Sequence, residues 1–481
     1  STGCTAATPT TLQVTVNPNP TPVIQGPTDP ICGYSNQIYY TAGSGHVYTW
    51  TITGGSILPP TGAPSITVAW GNTLPVAVNL TETIVYTGVS CSTVAATFPV
   101  SFKPWPVTPD PISGPLSVCK SSMRNYSVNP IPYANTHIWN YSGTGVTIMN
   151  NGTASVKLVF SSSATSGQLT VTGRNDCGNG PTSTPIDIEV HPLPVVSYNV
   201  CHDAITTKNA RPFTLRGGNP YGPTGTYHLN FASNPALPAD LFNPADGAVN
   251  IGTNTIYYIY TTVYNCQDTA KQYITVLPSN AGYICGSSLL SDPRDPSISY
   301  RTFPIDTKCW MAENLRIGSR VVLPSQNQPQ NQSDNCIMEK YCLPSDNANC
   351  SNYGGLYQWD ELVQYGQSQL PYQGLCPPGW HVPTAAEWSD MIDKIAQMSP
   401  GVGLAGSFLQ YASGFNAKLN GLFYLNNLWA FSSGDPTATM FWTSTQVNGK
   451  PVARGLNSSA LSVSYYESSK ANAFPVRCVK D

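Results

Sequence analysis

Charge is scarce in this chain. Only 10% of its 481 residues are Asp, Glu, Lys or Arg, where about 25% is usual. The 22 basic and 25 acidic residues leave a net charge of −3, so no strongly basic face is available for a nucleic-acid backbone. No apolar run approaches the roughly 20 residues needed to cross a bilayer as a helix. No leader of the secretory type opens the sequence, which for an exported protein points to a mature or partial chain. Cysteines form no CxxC pair and no Cys/His cluster with zinc-ligand spacing. H-E-x-x-H is missing, and with it the usual zinc-protease arrangement.

What fills the gap is Thr, Ser, Asn, 40 Gly and 43 Pro, beside 41% apolar and 10% aromatic residues. That mixture suits strands and turns and is too apolar for a disordered chain. The 14 cysteines are spread singly, as in a disulfide framework made in an oxidising compartment. A length of 481 residues predicts three to five domains.

A unit repeats through the first 280 residues with a period of about 85 to 90 residues. Each copy ends in an alternating strand and a proline-rich hinge: VTVNPNPTPVIQGP from Val14, VSFKPWPVTPDPISGP from Val100, IEVHPLPVVSYNV from Ile188 and ITVLPSNAG from Ile274. Each copy also carries an early cysteine, a central aromatic and a late cysteine. The sets are Cys32, Trp50 and Cys91; Cys119, Trp139 and Cys177; and Cys201, Tyr227 and Cys266. Such spacing is expected of an immunoglobulin-like β-sandwich. Alternation predicts strands at 47–52, 155–160 and 168–172, and no amphipathic helix is evident before residue 280. Trp50 and Trp139 read as core residues, not sugar platforms. Cys4 and the alternating 11–16 look like the closing strand of an earlier repeat, with the partner of Cys4 upstream. The repeats resemble the PKD-like and immunoglobulin-like repeats of large surface proteins in Bacteroidetes-type bacteria. The resemblance is strong over 105–194 and weaker over 195–280, and it implies a stalk of sandwiches joined by stiff proline hinges.

Near residue 281 charge and tryptophan become denser. Thr384 and Glu387 form a T-x-x-E capping box opening a helix that should end near Met398, with Trp388, Met391, Ile392 and Ile395 on one face. A short helix is expected around 359–363. Several motifs follow in order: Cys309-Trp-Met-Ala-Glu-Asn-Leu315, Glu339-Lys-Tyr-Cys342, Tyr353-Gly-Gly-Leu-Tyr-Gln-Trp359, Cys376-Pro-Pro-Gly-Trp-His-Val-Pro-Thr384, Phe441-Trp-Thr-Ser-Thr445 and Phe474-Pro-Val-Arg-Cys-Val-Lys480. Together they resemble the Fibrobacter succinogenes major paralogous (FISUMP) domain. The run from Cys376 to Trp388 is also similar to formylglycine-generating-enzyme-type domains, which implies a C-type-lectin-like fold by analogy. The family pattern implies the pairs Cys376 with Cys478, Cys342 with Cys350 and Cys285 with Cys309. Cys336 is left over and could instead bond Cys309 or Cys285.

The expected organisation is mainly β. Residues 1–18 end one repeat; 19–104, 105–194 and 195–280 are Ig/PKD-like sandwiches; 281–481 is an α+β, C-type-lectin-like FISUMP domain. No catalytic constellation stands out. His381 precedes a proline in a turn and reads as structural, and Glu387 reads as a cap. The calcium tripeptides of C-type lectins are missing. Residues 345–349 carry oxygen ligands between Cys342 and Cys350, a stapled turn at which calcium is possible. A glycan or protein site is expected at 323–335 and at Tyr465 and Tyr466. Asp268-Thr-Ala270 fits the motif that Bacteroidetes glycosylate, making Thr269 a modification candidate. The function expected is a non-enzymatic surface or secreted adhesin, exported by the type IX pathway and linked to gliding. Its partner would be an outer-membrane or cell-surface protein anchor, or a glycan. The alternative is a secreted carbohydrate-binding accessory of a polysaccharide-degrading system.

Overall fold

The computed structural model describes residues 11–14, 16, 21–42, 46–86, 89–201, 204–279, 282–321, 331–343, 350–365, 371–398, 409, 414–419, 438–458 and 462–481, with 82–86 and 89–95 by backbone alone. The chain is mainly β and divides into two compact units, Ser1–Pro192 and Leu193–Asp481. Among the described residues no helix is long and apolar enough to cross a membrane.

The first unit holds two sandwiches. In one, a four-stranded sheet (Ile24–Gln25, Asn36–Thr41, Ser65–Trp70, Gly55–Leu58) faces a three-stranded sheet (His46–Thr53, Ala77–Tyr86, Val89–Phe98). The predicted alternation at 47–52 places Tyr48 and Trp50 inward and leaves Val47 53% exposed. They meet Tyr39, Val68, Val78 and Leu80 in one apolar core. The Trp50 indole donates to Ala63 O at 3.0 Å, so its burial leaves no orphan donor.

The second sandwich sets Ser117–Cys119, Ile186–His191, Gly167–Asn175 and Thr136–Tyr141, with Gly178–Thr182, against Met123–Ser127, Ser155–Phe160 and Val146–Met149. Strand Ser155–Phe160 buries Val156, Leu158 and Phe160 and turns the intervening residues outward, the period-2 signature of a half-buried strand. Trp139 fills the core and donates to Thr153 O at 2.9 Å.

The second unit begins with a third sandwich built on Ile205–Thr207, Gln267–Leu277, Gly252–Thr261 and Gly225–Leu229. Tyr198, Tyr227 and Tyr258 stack in its core with centroids 4.8–6.2 Å apart. Tyr227 thus takes the tryptophan's place. Up to residue 280 the described residues contain no α-helix; Pro238–Asp240 forms a 3₁₀ turn.

Beyond 281 the fold is α+β. The sheet Thr302–Ile305, Lys308–Met311, Val479–Lys480, Trp380–His381 brings the last residues beside the first strands. A second sheet joins Ala438–Val447, Lys450–Asn457 and Ser464–Glu467. Helix α1 is Trp359–Leu362 and helix α2 is Ala385–Met398. The α2 face carrying Trp388, Met391 and Ile395 packs on Trp310, Phe415 and Phe441, with Ile392 at its margin. Two more indoles bind backbone: Trp359 to Thr443 O at 3.0 Å and Trp442 to Tyr357 O at 2.7 Å.

Candidate functional site

The proline hinge between the first two sandwiches is held from both sides. Strand Ile31–Cys32 pairs in parallel with Phe102–Lys103, which brings Cys32 to the start of the hinge. Trp105 donates its indole N–H to Gly33 O at 2.7 Å and its amide to Asn72 Oδ1 at 2.6 Å, while Asn72 Nδ2 donates to Trp105 O at 3.2 Å. From the other sandwich, Asn175 Nδ2 donates to Pro104 O at 2.8 Å and Asp176 pairs with Lys103 at 2.6 Å.

A disulfide completes this joint and corrects the sequence expectation. Cys32 bonds Cys177, with Cα atoms 5.5 Å apart, and not a cysteine of its own repeat. The physical reason is position. Cys177 lies in the turn between Gly167–Asn175 and Gly178–Thr182, not on a core-facing strand, and its Sγ sits 3.5 Å from Lys103 O. It therefore faces the hinge and not Cys119. Likewise Cys201 bonds Cys336, not Cys266, tying the third sandwich to the C-terminal domain. That settles the pairing of Cys336, which the sequence left open, and Cys285 and Cys309 bond each other as the family pattern implies. Arg216 pairs with Asp334 at 3.4 Å beside this staple. Cys119 and Cys266 are in disulfides too. Cys91 lies on strand Val89–Phe98 opposite Ile84, but its side chain falls outside the described residues, as does all of Cys4.

In the C-terminal domain Cys342 bonds Cys350 and Cys376 bonds Cys478. The crowded run 375–388 forms a structural knot. Thr384 N–H donates to Glu387 Oε2 at 2.8 Å and Glu387 N–H donates to Thr384 Oγ1 at 3.1 Å, a reciprocal capping box. His381 is 1% exposed. Its Nδ1 meets Asp481 at 2.6 Å and its Nε2 meets Glu387 at 3.0 Å. Ionised carboxylates only accept, so these two contacts favour the ring with a proton on each nitrogen. Burial opposes that charge, but the bonds to Asp481 and Glu387 and their charges raise the His381 pKa overall. Burial would raise the Glu387 carboxyl, yet His381, the Thr384 amide and Lys308 hold it well below its ordinary range. Both ring nitrogens are thus engaged by carboxylates of the fold itself.

A second buried acid lies nearby in sequence. Glu361 is 1% exposed, and burial pushes its pKa up to about 7 against the N–H of Glu339 at 2.8 Å. Glu339 in turn accepts from Ser333 N–H and Asn335 Nδ2.

The expected ligand places fare unequally. Tyr465 and Tyr466 are 47% and 43% exposed on strand Ser464–Glu467, with Arg454 5.3 Å from the Tyr465 ring centroid. Of 323–335 only 331–335 is described, and Gln332 there is buried, clasped to Gln358 and Leu356. The calcium candidate at 345–349 lies outside the described residues. Among the described residues no cluster of three His, Cys, Asp or Glu could hold a metal. Thr269 is exposed on strand Gln267–Leu277, its N–H bonded to Asp268 Oδ1 at 2.8 Å.

The sequence reading missed a polar cleft of about 90 Å³, whose lining includes Arg301, Glu313, Arg316, Tyr353, Lys418 and Arg477. In a chain so poor in charge, a concentration of cations is the signal that would have found it. The residues are too far apart in sequence for that signal to be read without the fold.

Residues 304–480 match the Fibrobacter succinogenes major domain, and residues 105–188 match the PKD-like domain. No curated protein matches the chain. Among solved structures, a 1.5-MDa bacterial ice-binding adhesin is similar at 14% identity and TM-score 0.26, over 54% of this chain and 100% of that one. A Ca2+-stabilized adhesin of an Antarctic bacterium that binds ice is similar at 12% identity and TM-score 0.27, over 58% and 78%. Murine CEACAM1b is similar at 11% identity and TM-score 0.20, over 36% and 100%. Scores this low carry no functional argument.

Proposed function

We infer that this chain, which carries a PKD-like domain and a Fibrobacter succinogenes major domain, is a non-enzymatic adhesive segment of a cell-surface or secreted protein. Sandwiches in series, divided at 19–104, 105–194 and 195–280, form a stalk. Residues 281–481 form a C-type-lectin-like domain for attachment or surface docking. The observation that carries the reading is covalent: Cys32–Cys177 and Cys201–Cys336 each bond one domain to the next. Staples across joints suit a protein that displays a terminal domain outside the cell, where disulfides persist. The engagement of both His381 ring nitrogens by Asp481 and Glu387 supports a structural role for this histidine of the signature.

Export by the type IX pathway, a role in gliding, an outer-membrane or cell-surface protein anchor, and O-glycosylation at Thr269 complete the reading. The test is purification of the full chain from its native envelope, with crosslinks mapped from 281–481. A bound barrel, lipoprotein or envelope glycan supports the proposal. Recovery of the chain only inside the cell, with its cysteines reduced, would overturn it. Recovery from the medium alone, bound to a degraded polysaccharide, would favour the accessory role, which the polar character of the cleft also suits.

A further inference from the structure

The cleft reverses the electrostatic character of the chain. Among the described residues, four cations, Arg301, Arg316, Lys418 and Arg477, line it against one carboxylate, Glu313, in a protein whose acids outnumber its bases. Arg477 is 1% exposed. Its guanidinium donates to Asn314 Oδ1 at 2.8 Å, to Phe415 O, and to Asn416 O at 3.0 Å, all neutral acceptors. Burial lowers its pKa to about 9, with Glu313 opposing the shift and Arg301 adding to it. It therefore stays cationic at neutral pH. Glu313 itself is bonded to Arg301 at 3.3 Å. A buried cation held by neutral oxygens, at a cleft open to solvent, is stabilised by any anion that enters.

We propose that this cleft binds the carboxylate or sulfate groups of an acidic polysaccharide. Charge supports this: Arg301, Arg316, Lys418 and Arg477 converge on one small cleft, an arrangement that favours an anionic group. Within the lining, Lys418 lies 5.7 Å from the Tyr353 ring centroid. A sugar is favoured over an acidic peptide because the described lining is mostly charged or polar and carries few apolar anchors. The walls are preformed. Cys342–Cys350 fixes one end of the 350–354 wall, and Asn314 Nδ2 donates to Tyr353 O at 2.7 Å. Gly354, at φ +80°, lies so close to Asn314 that a Cβ there would be 2.4 Å from the Asn314 Cβ.

The inference deepens the attachment reading and rests on it. The full chain is titrated against polygalacturonate, dextran sulfate, neutral dextran and polyglutamate of matched length. Binding to either acidic polysaccharide is expected, weakening as salt screens the exposed charges; the two arms separate carboxylate from sulfate. Arg301→Gln with Lys418→Gln should weaken binding about tenfold or more, while Lys418→Arg retains it. Both side chains are exposed, so the fold should survive, as circular dichroism would check. Equal binding to neutral dextran, preference for polyglutamate, unchanged affinity in the double variant, or no binding to either acidic polysaccharide overturns the proposal. The attachment reading survives those results if the chain still crosslinks to an envelope partner, and falls with them if it does not.

Discussion

Replacing Cys32 and Cys177 by serine removes the covalent part of the first joint and leaves the rest in place. The bond closes a loop with a sequence separation of 145, for which chain entropy alone predicts about 5 kcal/mol of stabilisation of the folded state. What then holds the joint is Trp105 on Gly33, the Asn72–Trp105 pair and Asn175 on Pro104, each worth about 1 kcal/mol. The Lys103–Asp176 pair is exposed and adds little. For a unit of this size 1 kcal/mol corresponds to about 2–4 °C, so the thermal transition of Ser1–Pro192 should fall by about 10–20 °C. Differential scanning calorimetry of the full oxidised chain measures the shift. Hydrogen exchange at the amides of Gly33 and Trp105 locates it, since both should lose protection first. A midpoint within about 2 °C of the parent, with unchanged exchange at those amides, would refute the claim that the staple organises the joint.

Thr384→Ala removes one half of the capping box and should cost about 1 kcal/mol, read as a lower urea midpoint for the C-terminal domain. Glu361→Gln tests the raised carboxyl. Because the folded pKa lies above the unfolded one, the contribution of Glu361 is complete below about pH 4.5 and is lost as pH rises through about 7, a swing of about 3 kcal/mol. The variant should therefore be the more stable protein at pH 8, and a parent that gains stability relative to it between pH 5 and 8 would contradict the burial argument. His381 should titrate above the ordinary histidine value by NMR, with its stabilising charge present below about 6.5 and lost as pH rises through the higher folded pKa. A midpoint at or below the ordinary value would remove the double-carboxylate account.

Local features were legible in the sequence because their causes are local. Alternation at 47–52, 155–160 and 168–172 corresponds to strands His46–Thr53, Ser155–Phe160 and Gly167–Asn175, since a half-buried strand must alternate. The Thr384–Glu387 box and the apolar spacing of α2 are likewise written within a few residues. The staples were not. In a repeat of near-constant length, a late cysteine stands at the same register in every copy, so spacing cannot distinguish a bond within a repeat from one to the next. Only the parallel pairing of Ile31–Cys32 with Phe102–Lys103, a contact across about 70 residues, brings Cys32 to Cys177. The cleft was hidden for the same reason: Arg477 contacts Asn314 and Phe415 at sequence separations of 163 and 62. Its own motif, Phe474-Pro-Val-Arg-Cys-Val-Lys480, gives no hint of those partners.

The cross-joint disulfides also decide where tension would travel if the chain were pulled by its ends. Load arriving at Cys32 passes through sulfur to Cys177, so the intervening chain, about 480–520 Å if drawn straight, cannot be paid out while that bond is oxidised. Cys201–Cys336 removes the third sandwich from the path in the same way. Strands Gly178–Thr182 and Ile186–His191 lie outside both bypasses. A reductant would then act as a length switch, and single-molecule extension should lengthen in large steps as these bonds, and Cys376–Cys478 with its separation of 102, are cut.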